Sequence, residues 1–132
     1  MISKLTAFLI ENPVGDLTDE VVVSNRLASF PFKIRGINGL EFAEYQKIAT
    51  KINRHKKVEF DNKSFNELVI LNHTVEPNFR EEAAIKAAGC TTPEQFLYKS
   101  LLAGEISELA QKISALSGFD KDIEELVDEA KN

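Results

Sequence analysis

Few side chains in this sequence are suited to metal binding or nucleophilic catalysis: His55, His73 and Cys90 are its only histidines and cysteine. They form neither an i,i+4 histidine pair nor a Cys-x-x-Cys pair, so the ligand spacing of a zinc site is missing. Cys90 follows Gly89 at a predicted helix end, which favours a half-buried structural thiol, although sequence distance leaves a Cys–His pair open. The residues therefore predict no metal, no cofactor and no enzymatic activity.

Two further patterns fail to give a catalytic or phosphate-binding site. Gly36 and Gly39 lie close together, but they lack the lysine and the spacing of a phosphate-binding loop. Glu81 and Glu82 are neighbours on a predicted helix and point apart, so they are unlikely partners for sharing a proton. We expect such acids to face solvent.

The charge distribution argues against nucleic-acid binding. The 132 residues carry a net charge of −5, and residues 120–132 contribute six acids and two lysines to it, so residues 1–119 are nearly neutral. The basic residues concentrate at Lys47, Lys51 and Arg54, followed by His55, Lys56 and Lys57. This concentration is either a solvated face near a helix end, where the helix dipole favours cations, or a docking patch for an acidic partner.

The sequence also indicates a cellular compartment. A single cysteine excludes an internal disulfide and suits a reducing cytosol. The apolar run from Leu5 to Ile10 is interrupted by Glu11 and is too short for a signal peptide or a membrane span. We therefore expect a cytoplasmic protein that does not associate with membranes.

The elements that would position any site are clearest between residues 92 and 119. Thr92 caps a predicted helix with Pro93 at its first position and Gln95 three residues after the cap. A second helix follows, ending at Gly118, with Phe119 folding back; its apolar stripe is Ile106, Leu109, Ala110, Ile113 and Leu116. The second helix would present Glu105 and Glu108 to DNA, which argues against a helix-turn-helix.

The N-terminal part begins with a short helix and a predicted β-hairpin over about residues 20–37. Ser3 caps the helix, which ends before Pro13 and carries Leu5, Phe8 and Leu9 on one face. Val21 to Val23 have β-branched character, and Phe30, Phe32 and Ile34 alternate with charged residues as in a half-buried strand.

Three more helices are predicted between the hairpin and Thr92. The first spans Asn38 to about Asn53, with a predicted core side of Phe42, Tyr45, Ile48, Ala49 and Ile52. The second starts at Asp61 or Asn62, carries Phe65, Leu68, Val69 and Val75, and stops before Pro77. The third opens at Asn78 and ends at Gly89. The pattern predicts an α+β fold: one mainly helical domain, with the hairpin packed on a bundle of five to six helices.

The last residues are predicted separately from this domain. Residues 120–132 place Ile123, Leu126, Val127 and Ala130 in helical phase among acids, which predicts either a docked helix or a tail that orders on a partner. The expected division is therefore a domain at 1–119 and an acidic helix or tail at 120–132.

Several stretches resemble the XkdN-like phage tail assembly chaperones of Gram-positive bacteria. They are Ser3 to Asn12, the valine strand with Phe32 to Ile37, Val75 to Phe79, and Leu101 to Glu105 leading to Leu116 to Phe119. Their order and spacing carry the resemblance over nearly the whole chain. Gly36-Ile37-Asn38 replaces the family's usual Pro-Ile-Thr, and the hairpin is shorter than expected for the family.

The resemblance implies a non-enzymatic chaperone in the cytoplasm of the bacterial host. Such proteins are expected to bind the long, helical tape-measure protein, to help tail-tube subunits polymerise around it, and to be absent from the mature tail. Self-association is also expected, and Leu5, Phe8 and Leu9 are the residues expected to contact partners, together with the basic Lys47, Lys51 and Arg54. A small cytoplasmic adaptor or regulatory protein-binding domain is the alternative.

Overall fold

The elements described below come from a computed structural model, which describes residues 1–119. In this part of the chain six α-helices alternate with five short strands. In order they are α1 (Lys4–Glu11), β1 (Thr18–Val21), β2 (Phe32–Arg35), α2 (Gly39–Ala49), β3 (Thr50–Ile52), β4 (Val58–Phe60), α3 (Asn62–His73), β5 (Thr74–Glu76), α4 (Glu82–Ala87), α5 (Pro93–Ser100) and α6 (Ala103–Ser114). The predicted α+β fold is confirmed. The predicted acidic helix or tail at 120–132 lies outside the described residues.

The N-terminal strands form a three-stranded antiparallel sheet in the order β1-β2-β5. Val21 pairs with Phe32 and Thr18 with Arg35, so the predicted hairpin exists, with a connection at residues 22–31 that contains a 3₁₀ turn. Its first strand lies earlier than predicted, since β1 ends at Val21 and leaves Val22 and Val23 in the connection. Phe32 and Ile34 are buried, whereas Phe30 is exposed because it precedes the strand. Central strand β2 therefore supplies the apolar face on which the helices pack.

The third strand of this sheet was not predicted. Helix α3 ends at His73, and β5 continues the chain as the partner of β2, with Ile34 opposite Thr74. The sequence interpretation placed Val75 on the helix, and this is wrong: Val75 lies in β5 and is exposed. The reason is non-local, since a strand edge offered by β2 competes with continuation of the helix.

Helix α2 is also shorter than predicted. It ends at Ala49, and the next residues form a separate two-stranded hairpin, β3–β4, in which Thr50 pairs with Phe60 and Ile52 with Val58. Ile48 and Ile52 were expected in the core, but both are exposed, Ile52 by 74%. Tyr45 and Ala49, by contrast, are buried as predicted.

The core lies between the three-stranded sheet and helices α2, α3, α5 and α6. It contains, fully buried, Ile34, Ile70, Phe79, Leu97, Leu109 and Ile113. Gly118 ends the last helical turn with a φ of 98°, a left-handed conformation that glycine adopts without strain. The chain then folds back, and the ring of Phe119 lies 5.3 Å from that of Phe42. The stop signal predicted at Gly118 is confirmed.

The predicted caps are present at four helix starts, including Ser3 on α1. The predicted cap at Asn78 is wrong, because α4 begins later, at Glu82, with Glu81 as its N-cap residue. Asn38 and Glu41 form a reciprocal capping box on α2, and Asp61 accepts the backbone N–H of Ser64 at the start of α3. Thr92 accepts the N–H of Gln95, whose side chain bonds Thr91 instead of Thr92. These bonds satisfy N–H groups that the first helical turn leaves without partners.

Candidate protein-binding surfaces

Helix α1 presents an exposed apolar face. None of its residues is buried, and the side chains of Leu5, Phe8 and Leu9 are 67%, 59% and 62% exposed. Ser3 caps the helix by accepting the N–H of Thr6, and Asn12 ends it. The predicted contact residues of α1 therefore lie together on a capped helix whose apolar face is open.

A groove of about 310 Å³ continues this surface beyond the helix. It is lined by Phe8, Pro13, Val14 and Leu17, among others. Its floor is anchored to the sheet, because the N–H of Gly36 donates to the carbonyl of Leu17 at 2.9 Å.

The basic residues predicted on one helix face are divided between two elements. Lys47 lies in the last turn of α2, Lys51 in β3, and Arg54 in the turn of the β3–β4 hairpin. Hydrogen bonds from Ser64 are the main cause that lowers the pKa of the Asp61 carboxyl. The ammonium group of Lys51 lies 3.0 Å from this carboxyl and lowers its pKa further. Lys51 is therefore engaged within the chain, while the hairpin tip carries Arg54, Lys56 and Lys57.

A second groove, of about 710 Å³, runs between α3 and α6. Its apolar lining includes Ile70, Ile106, Ala110 and Phe119. Polar side chains such as Ser107 and Gln111 also line it. The sequence reasoning did not find this groove, because it depends on how two helices distant in sequence pack together.

A carboxylate is buried at the start of α6. Glu105 is only 2% exposed; Arg26 donates to its Oε1 at 2.6 Å and Ser24 to its Oε2 at 2.5 Å. It also accepts the N–H of Leu102 at 2.7 Å. Arg26, with the other two donors, lowers the pKa of Glu105 to about 2. Glu105 therefore joins the β1–β2 connection to α6, a role that the sequence analysis did not predict.

A second buried polar cluster surrounds His73 at the end of α3. Nε2 of His73 lies 2.9 Å from the hydroxyl of Tyr45 and 3.9 Å from a carboxylate oxygen of Glu41. Burial lowers the pKa of His73, and the positive charge of Arg35 adds to the effect. Burial would raise the pKa of Glu41, but hydrogen bonds from Arg35 and the Asn38 N–H leave it below the usual value. The cluster holds α2, α3 and β2 together.

Among residues 1–119 no group of three or more histidine, cysteine, aspartate or glutamate side chains could hold a metal ion. Cys90 is a half-buried free thiol, as predicted. In the same part of the chain, no helix has the length and apolar character needed to cross a membrane.

Comparison with known proteins places these features in a family. The crystal structure of the protein YqbN is similar in fold, with a TM-score of 0.68 and 21% sequence identity, covering 91% of this chain and 100% of that chain. No curated protein sequence matches the chain. A model of the family described as phage XkdN-like tail assembly chaperone protein matches residues 5–131, and the chain therefore belongs to this family of phage tail assembly chaperones.

Proposed function

We propose that this protein binds the tape-measure protein and assists polymerisation of tail-tube subunits around it, in the cytoplasm of the bacterial host. The observation that carries the proposal is family membership over residues 5–131. The protein acts by binding, without catalysis, and is absent from the mature tail.

The groove between α3 and α6 fits this role. A tape-measure protein is long and helical, and its apolar stripes would associate with one another if left uncovered. An amphipathic helix can lie in a groove with an apolar floor and a polar rim, a common mode of helix recognition. The floor provided by Ile70, Ile106 and Ala110, with Ser107 and Gln111 beside it, has this character. Many weak sites of this kind along one client would hold it through multivalency.

The other predicted contact residues extend the proposal. The apolar face of α1, with Leu5, Phe8 and Leu9, is a second surface for a client or for self-association. Lys47 and Arg54, with Lys51 beside them, would contact acidic segments of a partner. Charged contacts of this exposed kind affect the rate of association more than the affinity.

Co-expression with a tape-measure protein from the same phage or prophage tests the proposal. We expect the tape-measure protein to move into the soluble fraction and to co-purify with the tagged chaperone. Ser107→Arg places a bulky charge in the groove at an exposed position and should reduce capture. Ser29→Arg, the same change in an exposed turn, should not. A tape-measure protein that stays insoluble and is not captured by the wild type would refute the function; equal capture by both variants would refute the groove.

A further inference from the structure

Contiguous exposed apolar surface on a protein often marks an interaction site, and helix α1 carries an exposed apolar face. None of its residues is buried against the rest of residues 1–119. The exposed apolar residues at this end of the chain are Met1, Ile2, Leu5, Phe8, Leu9 and Ile10. Leu5, Phe8 and Leu9 recur at i, i+3 and i+4, which places them on one stripe. This exposed stripe therefore indicates a binding surface, and the charged residues of the same helix indicate which kind of partner it binds.

The two charged residues of α1 give that information. Lys4 and Glu11 are the first and last residues of the helix, and their spacing of seven places both on the same flank of the stripe. Neither forms an ion pair within residues 1–119. Their order is also the reverse of the one that the helix dipole favours, since the first turn has no acid and the last turn no base. The placement is thus unexplained by the stability of the helix itself.

We propose that α1 is a self-association element, in which two copies of this chain pair their α1 helices antiparallel. In the antiparallel register, Leu5 of one copy packs against Phe8 of the other. This register brings Lys4 of one copy beside Glu11 of the other. The two-fold axis repeats this ion pair at the other end of the helix pair. A parallel arrangement would gather both Lys4 residues at one end and both Glu11 residues at the other. The helix is therefore complementary to itself in one orientation.

A membrane surface fits the same helix less well. Helices that lie on anionic lipid carry several lysines or arginines on the polar face, whereas α1 has Lys4 alone and ends with Glu11. The groove formed by Phe8, Pro13, Val14 and Leu17 extends the apolar surface past the helix end, as an interface of two copies would require. Because an eight-residue helix offers a small contact, we expect a weak dimer, with a Kd on the order of 100 μM.

The pairing is tested with charge-reversed variants of the full chain. Sedimentation equilibrium, at concentrations below and above this Kd, measures the dissociation constant of each dimer. Lys4→Glu and Glu11→Lys each set like charges opposite one another and should weaken the dimer about tenfold. The double variant restores opposite charges and should return to within about threefold of the wild type. Each single change improves the match to the helix dipole, so circular dichroism should show no loss of helix.

Two changes elsewhere serve as matched controls: Lys57→Glu at the β3–β4 hairpin tip and Glu44→Lys on α2 alter the net charge equally and should leave the dimer unchanged. A wild type that stays monomeric throughout would overturn the proposal, as would a double variant no better than the single ones. Capture by vesicles containing anionic lipid, lost in Lys4→Glu while the protein remains monomeric, would assign the helix to membranes instead. The measurement needs no tape-measure protein, so its outcome is independent of the proposed function.

Discussion

Leu109 illustrates how a single apolar side chain supports this fold. It is fully buried in the middle of α6, and Leu109→Ala should cost about 2–5 kcal/mol through lost contacts and the cavity left behind. Leu40→Ala, at an exposed site on α2, is the matched control and should change the free energy of unfolding little. Phe8→Ala should also cost less than Leu109→Ala. Urea denaturation measures all three; similar losses for Leu40 and Leu109 would contradict the assignment.

The buried carboxylate of Glu105 should make the fold sensitive to acid. Its pKa in the folded protein is about 2, below the ordinary 4.5, so the unfolded chain binds the proton first as pH falls. The stabilisation is complete above pH 4.5 and is lost as pH drops towards 2. Unfolding measured across this window should show a shallower decline for Glu105→Gln than for the wild type. Glu108→Gln, on the same helix but pairing only with Lys112, should keep the wild-type slope.

His73 should contribute a separate loss of stability at milder acidity. Its folded pKa lies below the ordinary 6.5, so below that pH protons favour the unfolded chain, where the imidazole is solvated. The surrounding charges are Arg35 and Glu41, with the Tyr45 hydroxyl. The free energy of unfolding should fall as the pH drops below 6.5, and this slope should disappear in His73→Gln. His55→Gln is the control and should keep the slope. If the slope disappears in His55→Gln and not in His73→Gln, the prediction for His73 is contradicted.

At the scale of elements, the caps should act as independent local supports. Thr92 accepts the N–H of Gln95 at the start of α5, and Thr92→Ala should cost about 1 kcal/mol because that donor loses its partner. Thr92→Ser keeps the hydroxyl and should cost much less. Thermal or urea unfolding of the pair decides; equal losses would show that the methyl group of Thr92, rather than the hydrogen bond, matters.

What the sequence predicted correctly was local. Caps at Asn38, Asp61 and Thr92, and the stop at Gly118, depend on residues within one helical turn, so their patterns can be read directly. The stripe of α6 was equally clear because five apolar residues share one period. Strand β2 was predicted because Phe32 and Ile34 alternate with charged neighbours.

What the sequence could not predict depends on distant partners. Strand β5 forms because β2 offers an edge to it, and the three residues of β5 carry no strand pattern of their own. The end of α2 at Ala49 likewise depends on the pairing of β3 with β4. Glu105 has the sequence pattern of an exposed acid, and only the fold brings Arg26 and Ser24 to it. The groove between α3 and α6 was missed for the same reason.

The whole molecule should not bind DNA. Residues 1–119 are nearly neutral, residues 120–132 are acidic, and Lys51 is paired with Asp61, so too few cations remain together to displace the counterions of a duplex. Fluorescence anisotropy with random duplex DNA at about 0.15 M salt should show no binding at micromolar protein. Salt-dependent micromolar binding that Arg54→Ala or Lys56→Ala weakens would contradict this expectation.

The outer edge of the three-stranded sheet has a consequence for solubility at high concentration. Strand β1 pairs with β2 on one side, and no other strand of residues 1–119 covers its second edge. Such an edge could recruit strands from other chains and start an amyloid-like stack. Its centre is Asp19-Glu20, both exposed, and stacked copies would bring these negative charges together. The exposed edge of β1 thus carries an electrostatic barrier against becoming a template for aggregation.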